Sequence, residues 1–138
     1  MPKKLLEQKN LKELMKTLDR IFSEYIRLKA SVGEFCQCIT CGKFYHWKDI
    51  HNGHFISRGN PATRYSEINC NPQCCSCNSF KQGEWLKYEN RLIEIHGMEA
   101  VEKLKQDARL GGQFTRYGLR DLILKYQEKL KILKIEKL

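Results

Sequence analysis

Apolar side chains at Leu11, Leu14, Met15, Leu18, Ile21, Phe22, Tyr25 and Ile26 recur at intervals of three and four, which lays them along one face of a helix running from Lys3 to about Lys29. Pro2 suits the start of that helix, and Gly33 closes the region. The pattern then changes. Across residues 34–83, Cys, His, Asn and Gly interrupt short apolar runs, which predicts loops and short strands built round a metal. Helical spacing returns after Gly83, first in EWLKYENRLIEIHG and then in MEAVEKLKQDARL. A last helix is predicted over roughly Gly118 to Lys137, with Leu119, Leu122, Ile123, Tyr126, Leu130 and Leu133 on one face. The expected architecture is one α+β domain over residues 1–138, mostly helical: an N-terminal helix (1–33), a small metal-bound core (34–83) and C-terminal helices (84–138). An apolar helix stripe serves equally to pack within a chain or to pair with a second one, so a homodimer built on the terminal helices stays open.

Composition adds a direction. The 138 residues are 41% apolar and include six Phe, six Tyr and two Trp, enough for a modest core and against wholesale disorder. No apolar run approaches the ~18 residues that a membrane span needs. The opening MPKKLLEQKN lacks an uninterrupted apolar stretch and a small-residue cleavage site, so it does not read as a secretory signal, and the expected location is a cytosol. Lys and Arg number 25 against 16 Asp and Glu, a formal charge of +9 that favours an anionic partner such as nucleic acid. The excess is spread along the chain, and on the end helices mixed charge reads first as a solvated face.

The seven cysteines carry the most specific spacing. They fall in two clusters, Cys36, Cys38 and Cys41, then Cys70, Cys74, Cys75 and Cys77. An odd count, no secretion signal and two Cys-x-x-Cys pairs favour a metal site over a disulfide framework. Cys38-Ile-Thr-Cys41-Gly42 and Cys74-Cys75-Ser76-Cys77 each place two thiolates where neighbouring turns can converge on one tetrahedral ion, and the Gly permits a tight turn. Four sulfurs fit a structural Zn²⁺, because a catalytic zinc keeps one position open. Cys36, Cys70 and Cys75 then default to small buried residues or free thiols, although Cys36 and Cys75 are near enough in sequence to compete as ligands.

Between the pairs lie His51-Asn52-Gly53-His54-Phe55, Ile56-Ser57-Arg58-Gly59 and Glu67-Ile68-Asn69-Cys70-Asn71-Pro72-Gln73, and Asn78 follows the last cysteine. A His, an Asn fifteen residues on and an Asn directly after a Cys-x-x-Cys resembles the order of the HNH, or ββα-metal, nucleases in their His-Asn-Asn form. Each residue type has a physical use. An imidazole can take a proton from water near neutral pH, and Asn oxygens can bind a hard cation or orient that imidazole. A β-ribbon carrying His54 and a helix starting near Asn78, stapled by zinc in a treble-clef-like way, would bring both to one phosphate.

A closer resemblance covers most of the chain. Cys-x-x-Cys-Gly at residue 38, Gly53-His54 before an aromatic, Arg64-Tyr65 before Glu67, Asn69, Gln73-Cys74 and Cys77-Asn78 resemble the NinG (Rap) recombination nucleases of lambdoid phages. Ser79 to Gly83, the Tyr88 to Gly97 stretch, Glu99-Ala100-Val101 and Lys125 to Leu130 are similar to that family's C-terminal part, and Leu18 to Lys29 to the helix before its zinc. The resemblance implies a phage endonuclease working in the bacterial host's cytoplasm, with phage or host recombination proteins as possible partners. Its expected substrates are branched recombination intermediates such as Holliday junctions and D-loops. In many HNH enzymes an Asp or His directly before the base binds the metal, whereas here that position is Gly53. The family carries Asp three residues before the base, where this chain has His51, so the resemblance points to His51 and Asn78 for a catalytic Mg²⁺ or Mn²⁺, with Asp49 as the fallback.

The roles that follow are expectations. His54 takes a proton from an in-line water, and hydrolysis leaves a 5′ phosphate and a 3′ hydroxyl. Asn69 fixes the ring of His54 or the turn that carries it, although Asn is also a common turn residue. Arg58, Arg64 and Lys81 flank this region and are candidate phosphate contacts, each of which singly could be a solvated charge. His46 and His96 are assigned no function. The main rival is a non-catalytic zinc module that binds DNA, which needs the four cysteines and not His54 with Asn78. A zinc nucleobase deaminase needs His-x-Glu and Pro directly before the first Cys, but His54 is followed by Phe55-Ile56 and Gln73 separates Pro72 from Cys74. A thioredoxin-type pair or a small-molecule enzyme lacks its strand-to-helix setting, Gly-rich loop or nucleophile elbow.

Overall fold

The computed structural model describes residues 4–138; Pro2 and Lys3, from which the apolar spacing begins the first helix, lie outside the described residues. Within them, a 3₁₀ turn at Leu6–Gln8 precedes α1 (Leu11–Ala30), so the helix proper starts at Leu11, the first residue of its apolar stripe, and not near Lys3. The reason is a reciprocal cap. The Glu13 N–H donates to Asn10 Oδ1 (2.8 Å) and the Asn10 N–H to Glu13 Oε1 (3.2 Å), which satisfies backbone donors left without partners at a helix start.

After α1 come a hairpin of β1 (Phe35–Gln37) and β2 (Phe44–His46), a ribbon of β3 (His51–His54) and β4 (Cys70–Gln73), a helical turn at Ser76–Phe80 and a 3₁₀ turn at Gln82–Glu84. Three helices complete the chain, α2 (Trp85–His96), α3 (Met98–Leu110) and α4 (Arg116–Lys137). The protein is mostly helical with two small antiparallel sheets. No helix among the described residues is long and apolar enough to cross a membrane.

Two compact units share the chain. One joins the residues up to Tyr25 with Phe114–Leu138. Here α1 and α4 run side by side in the same direction. Arg116, opening α4, donates to the carbonyls of Lys9 and Glu7 (3.1 Å to the latter), and Lys134 near its end pairs with Glu24 (2.9 Å). Leu14, Leu18, Ile21, Phe22, Leu119, Ile123, Tyr126 and Leu130 are buried, and the Tyr126 ring meets Phe22 edge-on at 4.8 Å. The helix starts at Arg116, before Gly118, because Thr115 Oγ1 accepts from the Gly118 N–H (3.0 Å) and caps it. Parallel neighbours cannot be joined by a tight turn, and the long connection between them is the other unit.

That second unit, Ile26–Gln113, carries the cysteines and histidines. Its core is Ile39, Tyr88, Leu92 and Val101, with Phe55 and Ile93 packed against it. Val101 on α3 meets Tyr88 and Leu92 on α2, and Lys105 and Glu89 form an ion pair between the same two helices. The break between α2 and α3 falls at Gly97, whose φ of +91° suits glycine. Asn60, in the long loop after β3, donates from Nδ2 to Ala108 O on α3 (3.0 Å), so α3 holds that loop from outside.

Candidate functional site

The Cys38-Cys41 turn closes the β1–β2 hairpin. The Cys38 N–H donates to Lys43 O (2.8 Å) and the Gly42 N–H to Cys38 O (3.0 Å), with Gly42 at φ +78°. The Ile39 N–H donates to Pro72 O (2.9 Å) and docks the turn on β4, beyond which the chain delivers Cys74 and then Cys77 in the helical turn. All four sulfurs lie within 4.8 Å of one another, and those of Cys41 and Cys74 are 3.8 Å apart. A tetrahedral zinc with Zn–S bonds of about 2.3 Å sets neighbouring sulfurs about 3.8 Å apart, so the four can hold a zinc ion.

The surroundings suit a thiolate at Cys38 and oppose one at Cys41 and Cys77. Burial pushes the Cys38 thiol up, but backbone N–H groups of Cys41 (3.5 Å) and Cys74 (3.3 Å) and the Thr40 hydroxyl (3.4 Å) together bring it down to about 6. Burial, with Cys74 and Cys38 close by, pushes Cys77 up to about 12. Crowded sulfurs that cannot all shed protons unaided are what a divalent cation relieves. Cys36 and Cys70 are buried in β1 and β4, Cys75 is exposed, and none of the three joins the cluster.

The β3–β4 ribbon sets the histidines. The pairing is His51 with Gln73, Asn52 with Pro72, Gly53 with Asn71 and His54 with Cys70. Strand alternation therefore puts His51, Gly53, Gln73 and Asn71 on one face, and His54 and Cys70 on the other. On the first face, Asn78 Nδ2 from the helical turn lies 3.3 Å from His51 Nδ1. On the second, His54 Nε2 lies 3.0 Å from Arg64 O, and Cys70 Sγ donates to the same carbonyl (3.3 Å). A carbonyl only accepts, so the His54 proton sits on Nε2 and the basic lone pair on Nδ1.

Asn69 is fully buried. Its Oδ1 accepts from the Ile56 N–H (2.7 Å), and its Nδ2 donates to Ile56 O (3.0 Å) and Thr63 O (3.1 Å). It therefore pins the turn immediately after His54 to the far end of the same loop. Tyr88, also buried, donates from its hydroxyl to Gly53 O (2.7 Å) and so ties β3 to α2. Arg64 is buried and donates from Nη1 to Arg58 O (3.0 Å), whereas Arg58 and Lys81 are exposed.

Gln73, which carries part of the family resemblance, and Thr40 have structural roles that the sequence did not assign. Gln73 Nε2 donates to Thr40 Oγ1 (3.2 Å), whose hydroxyl touches Cys38 Sγ, and to Gly83 O (2.7 Å). Its side chain fills the space at Gly53, where an added Cβ would meet Gln73 Oε1 at 2.3 Å and Gln73 Cβ at 2.6 Å. Gly53 is a packing requirement, and Gln73 Oε1 is a buried oxygen with no hydrogen-bond partner. Counting the ribbon back from Cys74 to set Gln73 opposite His51 was the available signal. Gly53→Ala is accordingly expected to destabilise the protein by about 1–3 kcal/mol, as overpacking does, and Gln73→Ala in the same chain to restore part of it; urea unfolding of the three proteins checks this.

A cysteine turn on a hairpin, a ribbon leading into a helix, and four sulfurs gathered between them define a small α+β protein with a candidate tetrathiolate zinc centre. The sequence pattern described as "Bacteriophage Lambda NinG protein" matches residues 1–136, and the chain belongs to that NinG family. Over 100 residues, or 70% of the chain, it is 32% identical to the protein ninG of Salmonella phage P22 and 33% identical to that of Escherichia phage 933W. The protein ninG of Escherichia phage lambda is 31% identical over the same share. The chain spans about half the length of these curated relatives, 47–48% of each. No solved structure matches it.

Proposed function

We propose that this chain is a metal-dependent endonuclease of the HNH type that hydrolyses phosphodiesters in branched DNA, as its resemblance to the NinG (Rap) recombination nucleases implies. The observation that carries the reading is His54, held through Nε2–H by the Arg64 carbonyl so that Nδ1 is the nitrogen able to accept a proton. Nδ1 takes the proton of a water in line with the phosphorus. The resulting imidazolium is stabilised because its Nε2–H···O=C bond becomes charge-assisted. Asn69 holds the turn after His54 and so keeps the ring where the Arg64 carbonyl can reach it.

His51 and Asn78 are the side chains for a divalent cation. Asn78 Nδ2 lies 3.3 Å from His51 Nδ1, so the two side chains already face each other and would hold the ion between a ring nitrogen and an amide oxygen. The Asn amide can turn its oxygen to the same place. His51 shares the face of Gly53, the usual ligand position before the base, and this is the face opposite His54, so an ion held by His51 and Asn78 and the His54 base would reach one phosphate from the two sides of β3. When bound there, Mg²⁺ or Mn²⁺ supplies the positive charge that neutralises the developing phosphorane and the leaving 3′ oxygen. Arg58 and Lys81 are the exposed cations beside this region for phosphate contact, and the net charge of +9 favours DNA as the partner.

The test is cleavage of a labelled four-way junction and of matched linear duplex by the zinc-loaded chain, with Mg²⁺, with Mn²⁺ and with neither added. The expected result is metal-dependent cutting of the junction in preference to the duplex, leaving 5′ phosphates. Binding without cutting under all three conditions would leave the chain as a non-catalytic zinc module that binds DNA.

A further inference from the structure

Two large aromatic side chains stand in water just beyond Asn78. Phe80 is 81% exposed and Trp85 62% exposed, whereas the other tryptophan, Trp47, is 5% exposed. Phe35, Phe44 and Tyr117 are exposed too, so exposure alone singles out no ring, but Phe80 and Trp85 flank a constrained stretch beside the candidate site. The backbone between them is unusual as well. Gln82, Gly83 and Glu84 have φ of +53°, +82° and +49° in succession, and two of the three are not glycine. Side-chain-bearing residues adopt this conformation at a cost, and it persists only where surrounding contacts impose it.

Those contacts come from the candidate site itself. Gln73 Nε2 grips Gly83 O at 2.7 Å from the end of β4, directly before Cys74. The Lys81 N–H reaches back five residues to Ser76 O (2.9 Å), and the Glu84 N–H bonds Lys81 O (3.0 Å). The kink is thus bolted to the same strand and helical turn that carry His51's neighbour Gln73 and Asn78. It presents Phe80, exposed Lys81 and Trp85 as a short aromatic-cation-aromatic run.

We infer that Phe80, Lys81 and Trp85 form a subsite for an unpaired nucleotide next to the cleavage position. This rests on the reading of the chain as a DNA-binding nuclease and deepens it by naming the feature of DNA that is recognised. In a duplex each base face is covered by its stacked neighbours. Away from duplex ends, a face is open to a protein ring only at single strands, flaps and branch points. A base stacks on Phe80 or Trp85, the Lys81 ammonium meets the adjoining phosphate, and the strand entering the site is the one that has left the duplex. Charge complementarity with an oligonucleotide, in a chain of net charge +9, is what favours this occupant over an apolar protein surface.

Trp85 reports on the subsite directly, since Trp47 is buried. In the zinc-loaded full chain without added Mg²⁺ or Mn²⁺, a short oligothymidine and a four-way junction are expected to quench the exposed tryptophan emission, and a duplex of equal charge closed by hairpin loops of a non-base spacer is not. Phe80→Ala and Trp85→Ala should each weaken oligothymidine binding by roughly ten-fold, with duplex binding held within about two-fold and Trp85→Phe restoring most of the loss. Circular dichroism of each variant confirms that it is folded. Emission indifferent to oligothymidine, equal loss for single-stranded and duplex DNA, or a concentration-dependent blue shift without DNA that shows a second copy covering the rings would each overturn the inference. Quenching by oligothymidine in a chain that cuts no DNA would sink the nuclease reading and leave the subsite standing.

Discussion

Cys77→Ser is expected to abolish tight zinc binding and, with it, the cooperative folding of residues 26–113. Cys77 is buried in the helical turn, and the backbone leading to it is tied to the sulfurs of the other cysteines. The Cys77 N–H bonds Cys74 Sγ (3.5 Å), and the Cys74 N–H bonds Cys38 Sγ (3.3 Å). In small zinc modules metal binding contributes about 10 kcal/mol or more to folding, which is as large as the whole net stability of a typical domain. Metal content of the purified protein and its thermal unfolding are the measurements. A variant that melts like the parent while carrying no zinc contradicts the structural role. Cys75→Ser is the control, because Cys75 is exposed and outside the cluster; it should keep both zinc and stability.

His54→Ala is expected to leave the fold and the zinc intact and to lower the cleavage rate of junction DNA by a factor on the order of 10² or more, the scale of a lost general base. The ring is only partly buried, and the residues that hold its loop, Asn69 and Tyr88, do so through backbone partners that remain when the imidazole is removed. Folding and catalysis are therefore separable at this position in a way they are not at Cys77. A purified, folded His54→Ala protein that cuts at the parental rate would end the assignment of His54 as the base.

These two positions also mark what could be read along the chain. The Cys-x-x-Cys spacings named all four sulfurs of the cluster, because two ligands on a tight turn are a local arrangement that sequence separation already limits. The helix stripes named Leu14, Leu18, Phe22, Leu119, Ile123 and Leu130, and α3 spans the whole of the MEAVEKLKQDARL segment. Boundaries were less legible at α1. The helix is expected from Lys3, ahead of its first stripe residue Leu11, but Asn10 and Glu13 cap it at Leu11, and side-chain caps decide such ends. The parallel course of α1 and α4 was hidden too, since two stripes separated by a whole unit say nothing about direction.

By itself, then, the sequence determined which residues are chemically able to act: four thiols, two histidines three apart on one strand and an Asn after the last thiol. Tertiary structure alone decided their partners. It turned Asn78 to His51, put Arg64 O against His54 Nε2, directed the Arg64 guanidinium to Arg58 rather than outward, and filled the place beside Gly53 with Gln73. The physical reason is that ligand spacing on a turn is fixed by a few backbone dihedrals. A hydrogen bond across a ribbon, or between a loop and a ring, depends instead on strand register and on the docking of elements far apart in the chain.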